Sequence, residues 1–257
     1  MHQLDKPNAE RSIQDLASFS PSTISAYEAR FVCSKVNEKI ETAKLRCQEE
    51  ALQALNSTPD DPKLVAVALH KLSLIDRFKE GLVCYAEHLT SIAESKLGSI
   101  VNAESGQESL QLVHARRLAK VLESGSELLK FAFVDVLGSL EGSLREHAHL
   151  LQHAIMYQIE LAVGVVVEAF SVYSSSIPRE TSQIYPLDVA ISECILMLQH
   201  IEKFKEYLDI KLSLESGDCL EDATNRLKDV YLSDEPDYAR LGLRKAIELD
   251  QVILFEI

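Results

Sequence analysis

Glycine, proline and tryptophan are scarce in this sequence. Its 257 residues include 9 glycines, 7 prolines and no tryptophan. A β-sandwich or barrel of this length reverses its chain many times and uses more turn residues than this. Hydrophobic residues are 46% and charged residues 26% of the chain, a balance that excludes wholesale disorder and a multi-spanning membrane protein. The composition favours an all-α fold, as one elongated domain or two small ones.

Positive charge is also in deficit. The chain has 26 Lys and Arg residues against 40 Asp and Glu residues, so its formal net charge is −14. Proteins that bind nucleic acids neutralise phosphates with basic side chains, so we do not expect nucleic acid as a partner. The acidic residues of the C-terminal part are scattered at helical spacing, which is typical of solvated helix faces.

The cysteines show no disulfide or metal-binding pattern. Their number is odd, and no two of them are spaced as Cys-x-x-Cys. Because their neighbours are apolar, we expect reduced thiols in the core of a cytosolic protein. The start of the chain has no basic region followed by an apolar one, so no secretory signal is expected. The cysteines are Cys33, Cys47, Cys84, Cys194 and Cys219.

Motifs for nucleotide binding and for nucleophilic catalysis are missing. The sequence has no Gly-x-Gly-x-x-Gly, no phosphate-binding loop, no Gly-x-Ser-x-Gly and no kinase triplet. No cysteine has a histidine beside it in a recognisable catalytic frame. We therefore expect no enzymatic activity and no cofactor.

Apolar residues recur at helical spacing along most of the chain. The first stripe, Val32, Val36, Ile40, Ala43 and Cys47, lies on one face of a predicted helix. The first 21 residues are polar and interrupted by prolines, so we expect a flexible or weakly helical arm there, followed by a helical segment over residues 22–257. Breaks between helices are expected near Pro59–Pro62, Asn102–Gly106, Ser174–Pro186 and Ser233–Pro236.

One stripe has the spacing of a coiled-coil seam. Leu82, Tyr85, Leu89 and Ile92 advance by three and four residues, so this seam needs a partner helix along its whole length. We expect long helices that carry more apolar seams than their own core uses and that gain stability by joining other subunits. The run Val252–Ile257 is apolar and has no cap, and we expect the chain to be truncated at its C-terminus.

The most apolar stretch is Gly142–Ile177. Only Arg145, Glu146, Glu160 and Glu168 are charged within it. A helix that is apolar nearly all round is usually buried among neighbouring helices. Glu160 and Glu168 would lie at membrane depth if it crossed a bilayer, so we expect the central helix of a bundle and no transmembrane segment.

A histidine cluster lies near the start of this stretch. His149 and His153 are four residues apart on one helix face, and Glu146 precedes His149 by one turn. Carboxylate-bridged metal bundles use this Glu-x-x-His pattern, but they need a second copy, which the sequence does not contain. A zinc protease would need Glu after the first histidine, where Leu150 stands. The other interpretation is a group of partly buried or surface histidines, so we expect no metal.

Three segments, in order, resemble the family of fourth subunits of the conserved oligomeric Golgi complex. Leu72–Leu89 contains the family's Glu-Gly-Leu-x-x-(Phe/Tyr)-x-Glu-x-Leu block, which begins here at Glu80. Lys245–Asp250 is similar to the family's Lys-Ala-(Val/Ile)-x-Leu-Asp helix, and Pro186–Leu198 lies between the two. The resemblance extends over most of the chain, from Ala43 to Asp250.

The resemblance implies an elongated antiparallel helical rod of the tethering-complex type. It implies a non-catalytic scaffold subunit of a Golgi vesicle-tethering complex, which acts in intra-Golgi retrograde transport as a peripheral protein on the cytoplasmic face of the Golgi membrane. Its partners would be the other subunits of that complex. The resemblance covers only the central part of the family, without its N-terminal coiled coil and C-terminal bundles. The family's fusion regulators bind nearer its N-terminus, in the region that we expect this chain to lack, so SNARE contact is not expected here. Two alternatives stay open: a generic α-helical cytosolic adaptor, and a metal-binding bundle that uses Glu146, His149 and His153.

Overall fold

The computed structural model of the chain describes residues 26–103, 112–139, 149–180, 184–214 and 218–255, apart from the side chains of 26–29, 139 and 248–255. Across these ranges every regular element is a helix and no strand occurs. The all-α prediction is confirmed. The arm predicted at residues 1–21 and the side chains of the predicted apolar run Val252–Ile257 lie outside the described part.

Seven α-helices are present in the described ranges. A π-helical turn, Phe131–Val136, and a short 3-10 turn, Leu137–Ser139, continue the fourth helix, and a π-helical turn, Leu208–Leu212, continues the sixth. The helices are α1 Ala26–Ser57, α2 Pro62–Leu74, α3 Phe78–Val101, α4 Val113–Lys130, α5 His149–Ser176, α6 Ile184–Tyr207 and α7 Glu221–Phe255.

The chain divides into two compact units, residues 1–49 and residues 50–257. In the first unit, the described residues belong to α1, and the large apolar side chains of its predicted stripe are exposed. The second unit contains the end of α1 together with α2–α7. Its core is a large cluster of buried apolar residues from these helices, with α5 packed against α3, α4 and α7. A smaller cluster consists of Ile177, Leu187, Ala190 and Leu241.

The break between α1 and α2 is where the prolines predict it. Pro62 occupies the first turn of α2, where its missing N–H leaves no hydrogen bond unmade. Asp61 caps this end, since its carboxylate accepts hydrogen bonds from the N–H groups of Lys63 at 2.9 Å and Leu64 at 3.3 Å. The breaks after Val101 and after Ser176 also fall within the predicted regions.

The predicted break at Ser233–Pro236 is wrong. Helix α7 runs without interruption from Glu221 to Phe255, with Pro236 inside it. Proline removes one backbone hydrogen bond and crowds the preceding turn, which usually ends or kinks a helix. Here Asp234, which is 2% exposed, is bonded to Ser174 and Arg179 at the end of α5. This tertiary contact keeps the segment packed in place across the proline.

The seam at Leu82, Tyr85 and Leu89 is buried inside the second unit. Each of these side chains is at most 1% exposed, and α3 packs against α5 and α4. The partner helices that this seam needs are therefore supplied by the same chain.

Helix α5 is central, as predicted, but it is not covered on every side. Ten of its residues are buried, from Leu151 to Ser174. Four large apolar side chains on another face are 49–63% exposed. They follow one another by four, four and seven residues and so form one stripe along the helix. We call Tyr157, Leu161, Val165 and Val172 the exposed stripe of α5.

Gly125 allows α4 and α5 to approach closely. A Cβ atom at this position would lie 2.6 Å from Cδ1 of Ile159, a distance that real Cβ contacts do not show. Glycine weakens a helix interior by about 1 kcal/mol relative to alanine, so its presence here reflects the contact between the helices.

Two neighbouring valines allow the buried and exposed faces of α5 to be tested separately. Val166 is 1% exposed, whereas Val165 belongs to the exposed stripe. We expect Val166→Asp to lower the free energy of unfolding by about 4 kcal/mol, because it places an unpaired charge in an apolar contact. Val165→Asp should change it by less than about 1 kcal/mol. Urea unfolding of both variants measures the difference; equal losses would contradict this packing of α5.

Candidate functional site

Two of the three candidate metal ligands lie in the described part of the chain. His149 and His153 are both exposed on α5, and Glu146 lies outside the described residues. Within the described ranges, no group of three or more His, Cys, Asp or Glu side chains is placed to hold a metal ion. The hypothesis of a metal-binding bundle that uses Glu146, His149 and His153 stays a prediction.

The cysteine thiols of the second unit are held in their protonated form. Burial raises the pKa of Cys194 to about 12, and the nearby Asp234 carboxylate adds to the increase. Burial also raises the pKa of Cys219 to about 11 and, more modestly, that of Cys84. A thiol must ionise to act as a nucleophile, so these environments suppress nucleophilic chemistry. Cys194 is buried, as the sequence predicts, but Cys33 is exposed and the other three are half-buried.

A buried carboxylate on α6 closes the N-terminal end of α4. Oε1 of Glu193 accepts hydrogen bonds from the backbone N–H groups of His114 at 2.6 Å and Ala115 at 3.0 Å. Leu112, which precedes α4, has a φ of 61° and provides no side-chain cap. The first N–H groups of a helix need acceptors when they are buried, and the positive end of the helix dipole favours an anion. Glu193 meets both needs from another helix.

Aromatic rings cover this carboxylate. The His114 ring stacks on Tyr173, with ring centroids 5.4 Å apart, and meets Phe170 edge-on at 5.6 Å. Nδ1 of His114 lies 3.4 Å from Oε1 of Glu193 without forming a hydrogen bond. Burial raises the pKa of the Tyr173 hydroxyl, and the charge of Glu193 raises it further. The geometry serves to seal and position the helix end.

A second buried carboxylate joins α7 to the end of α5. Asp234 accepts a hydrogen bond from the hydroxyl of Ser174 and another from Nη2 of Arg179 at 2.6 Å. Nε of Arg179 also lies 3.4 Å from a carboxylate oxygen of Asp237. A buried charge is costly unless it is paired and hydrogen-bonded, and this one is both. Like the Glu193 cap, the arrangement fixes how the helices pack.

Sequence reasoning missed Glu193 because the apolar residues of α6 do not all lie on its buried face. Leu187 and Ile201 are buried, but Ile195 is 39% exposed and Ile191 and Leu198 are half-buried. The observed buried face contains Glu193 among apolar residues at helical spacing. An acidic residue in register with such a face is the signal that could have found it. The buried residues are Leu187, Ala190, Glu193, Cys194, Met197, Ile201 and Phe204.

A groove between α5 and the first turns of α7 is the strongest candidate for a binding site in the described part of the chain. Its volume is about 780 Å³, within the roughly 300–1,000 Å³ typical of ligand sites. Leu161 and Val165 of the exposed stripe line its floor together with Gly164 and Ala169. A Cβ atom added at Gly164 would meet nothing within 4 Å, so the floor is open at this point.

The rim of the groove is strongly acidic. It carries five carboxylates and one cation, Arg226, which pairs with Glu168 at 2.8 Å. Both partners of this ion pair are more than half exposed, so the pair contributes little to stability. Acidic residues in the first turn of α7 also favour that helix end through its dipole. The rim carboxylates are Glu160, Glu168, Asp218, Glu221 and Asp222.

A smaller groove lies beside α3 and the end of α4. Its volume is about 440 Å³, and it is lined by Lys96 and Lys130 as well as by acidic residues. Nζ of Lys96 bonds to Glu127 at 2.8 Å across the two helices, which lowers the pKa of Glu127. Its lining carries both basic and acidic side chains, whereas the rim of the groove on α5 is almost entirely acidic.

Two helical segments are long and apolar enough to cross a membrane. They are His149–Ser176 and Ile184–Leu212. Both contribute many residues to the buried core of the second unit, and core helices of compact proteins can be equally long and apolar. Length and composition are therefore weak evidence for a membrane span.

Comparisons of the chain with protein-family models, with curated proteins and with solved structures find no match.

The Glu193 cap can be tested by truncation. We expect Glu193→Ala to lower the free energy of unfolding by about 3 kcal/mol, because two buried N–H groups lose their acceptor. Glu193→Gln keeps an acceptor oxygen and should cost less. Glu202→Ala, at an exposed position on the same helix, is the control. Urea unfolding gives the free energies, and hydrogen exchange at His114 and Ala115 should accelerate in Glu193→Ala alone.

Thiol reactivity tests the burial of the cysteines. At pH 8 we expect iodoacetamide to modify Cys33 fastest, because Cys33 is exposed, and to leave Cys194 unmodified until the protein unfolds. Mass spectrometry of digests taken over time follows each site. Modification of Cys194 at the rate of Cys33 in the native protein would show that the core around α6 is open.

Proposed function

We propose that this chain is a non-catalytic helical scaffold that binds other proteins through exposed apolar helix faces. The observation that carries the proposal is the surface of α1 in the first unit. Five large apolar side chains there are 41–59% exposed, and three of them follow the predicted stripe at intervals of four residues. An exposed apolar stripe of this kind is typical of protein interaction sites. The residues are Phe31, Val32, Val36, Ile40 and Leu45.

The physical basis is the stability of a long amphipathic helix. Most of the stability of a protein helix comes from packing its apolar face against something else, since propensity alone leaves it marginal. A partner helix along Val32, Val36 and Ile40 would supply that packing, in the manner of a coiled coil. The polar residues between them, such as Lys35 and Lys39, remain available to the solvent or to charges on the partner.

We further propose that the complex is a Golgi vesicle-tethering complex. The support is the resemblance of Leu72–Leu89 and Lys245–Asp250 to the fourth subunit of the conserved oligomeric Golgi complex, together with an all-helical fold. In this proposal the chain acts in intra-Golgi retrograde transport, as a peripheral protein on the cytoplasmic face of the Golgi membrane. Its partners are the other subunits of that complex, and it has no turnover of its own.

The first of these segments has a packing role in this chain. Leu82, Tyr85 and Leu89 are buried in the second unit, so the resemblance there concerns the core of a helical domain and not a contact surface. Contacts with other subunits are therefore proposed for exposed faces such as that of α1. A generic α-helical cytosolic adaptor would use the same faces, and the experiment below separates the two.

Co-purification from cells tests the proposal. We expect tagged wild-type chain to recover other Golgi-tether subunits, and Val36→Asp with Ile40→Asp to reduce the recovery about tenfold by charging the apolar stripe. The matched control places the same two aspartates at Asn37 and Thr42, which are exposed on α1 outside the stripe of Val32, Val36 and Ile40. Circular dichroism should show equal helix content in all three proteins.

Two results would contradict it. Recovery of no Golgi-tether subunit by a well-folded, monodisperse protein removes the Golgi assignment. If the partners recovered are unrelated to the Golgi but are lost in the Val36→Asp, Ile40→Asp protein alone, the chain is a generic adaptor.

A further inference from the structure

We infer that the acidic groove between α5 and α7 binds an amphipathic helix of a partner protein whose polar face is basic. The inference rests on the proposal that the chain is a protein-binding scaffold, and it names the chemistry of one partner element. The groove belongs to the second unit and is a separate observation from the exposed face of α1. Its shape, length and charge each restrict the occupant.

The shape fits a helix. Two packed helices leave a furrow between them, and the side-chain ridge of a third helix fits such a furrow. The floor is apolar at Leu161 and Val165 and is open at Gly164, where a Cβ atom would meet nothing. A side chain of the partner could therefore occupy the space above Gly164.

The length fits four to five helical turns. The exposed stripe continues beyond the groove at both ends, to Tyr157 and to Val172. These residues are about 22 Å apart along the axis at roughly 1.5 Å per residue. A partner helix of about 16 residues would cover the whole stripe, whereas a small ligand would cover only its middle.

The charge of the rim selects a basic partner. The only cation among the lining residues, Arg226, is paired with Glu168, so the remaining four carboxylates face no basic side chain of the lining. Complementary charges steer association and exclude partners of the wrong sign. The same charge repels anionic lipid surfaces, which distinguishes this face from one made for a membrane. Lys or Arg residues flanking the apolar stripe of the partner would face the rim.

The test uses the full chain and two synthetic peptides of 18 residues. One peptide is an amphipathic helix with leucine on one face and lysine on the other, and the second has glutamate in place of every lysine. Fluorescence anisotropy measures the binding of each labelled peptide. We expect the lysine peptide to bind at least about tenfold more tightly than the glutamate peptide, and the difference to shrink with added salt.

Two glycines provide a matched pair of variants. Gly164→Leu fills the groove floor, whereas Gly98→Leu adds the same side chain in open space within α3, away from the groove. Both replace a helical glycine with a better helix former, so neither should impair folding. We expect Gly164→Leu to weaken binding of the lysine peptide about tenfold and Gly98→Leu to change it less than about twofold.

Further variants separate the contributions of the floor and the rim. Val165→Asp should weaken binding about tenfold, with Val67→Asp, at a similarly exposed valine of α2, as its control. Glu160→Lys with Glu221→Lys should reverse the preference between the two peptides. Thermal unfolding checks that each variant is folded.

Several results would overturn the inference. Equal binding of the two peptides, or equal effects of Gly164→Leu and Gly98→Leu, would show that the groove does not recognise a basic helix. If the chain binds vesicles containing phosphatidylserine and Gly164→Leu abolishes this binding, the face is a membrane-binding surface. If the chain forms a dimer and Gly164→Leu dissociates it, the face binds a second copy of the chain. None of these measurements involves a Golgi subunit. The Golgi proposal can therefore fail while the groove still binds a basic helix, and the groove can fail to bind one while the Golgi proposal holds.

Discussion

The hydrogen bonds from the first turn of α4 to Glu193 are the contact on which the packing of the second unit depends. Helix α4 begins at a buried end with no cap of its own, and it packs against α3, α5 and α6. Without an acceptor, its first N–H groups would be buried and unpaired. Because the acceptor stands on α6, the bond sets the position of α6 along α4, and the aromatic rings of His114, Phe170 and Tyr173 pack together beside it.

The same solution recurs close by, at the C-terminal end of α5. Asp234 joins α7 to the last turn of α5 through Ser174 and Arg179, and this contact lies two residues before Pro236. A helix with an internal proline is weak by itself, so its continuity depends on what holds it on either side. In both cases one buried carboxylate relates two helices that are far apart in the sequence. Apolar packing alone is less specific about such positions.

Helix α5 explains why the bundle both folds and presents a surface. One side supplies the largest set of buried residues of any helix in the described part, and the other side carries the exposed stripe and the floor of the groove. From its composition alone, α5 would be expected to be covered on all sides at the centre of a bundle. It has neighbours in α3, α4 and α7, which leaves one face for a partner. The acidic rim makes that face negatively charged, so the face favours partners with basic side chains.

The sequence by itself determined the helical class, the α1–α2 break at Asp61 and Pro62, and the apolar identity of α3 and α5, because these depend on local spacing and on backbone chemistry. It also indicated the amphipathic stripe of α1. Only the tertiary structure decided which stripes are covered: the seam at Leu82, Tyr85 and Leu89 is internal, while Val165 and Leu161 are exposed. Glu193, Asp234 and the groove also came from the structure alone. Each depends on residues brought together from distant positions, and helical periodicity says that a face is apolar without saying what lies against it.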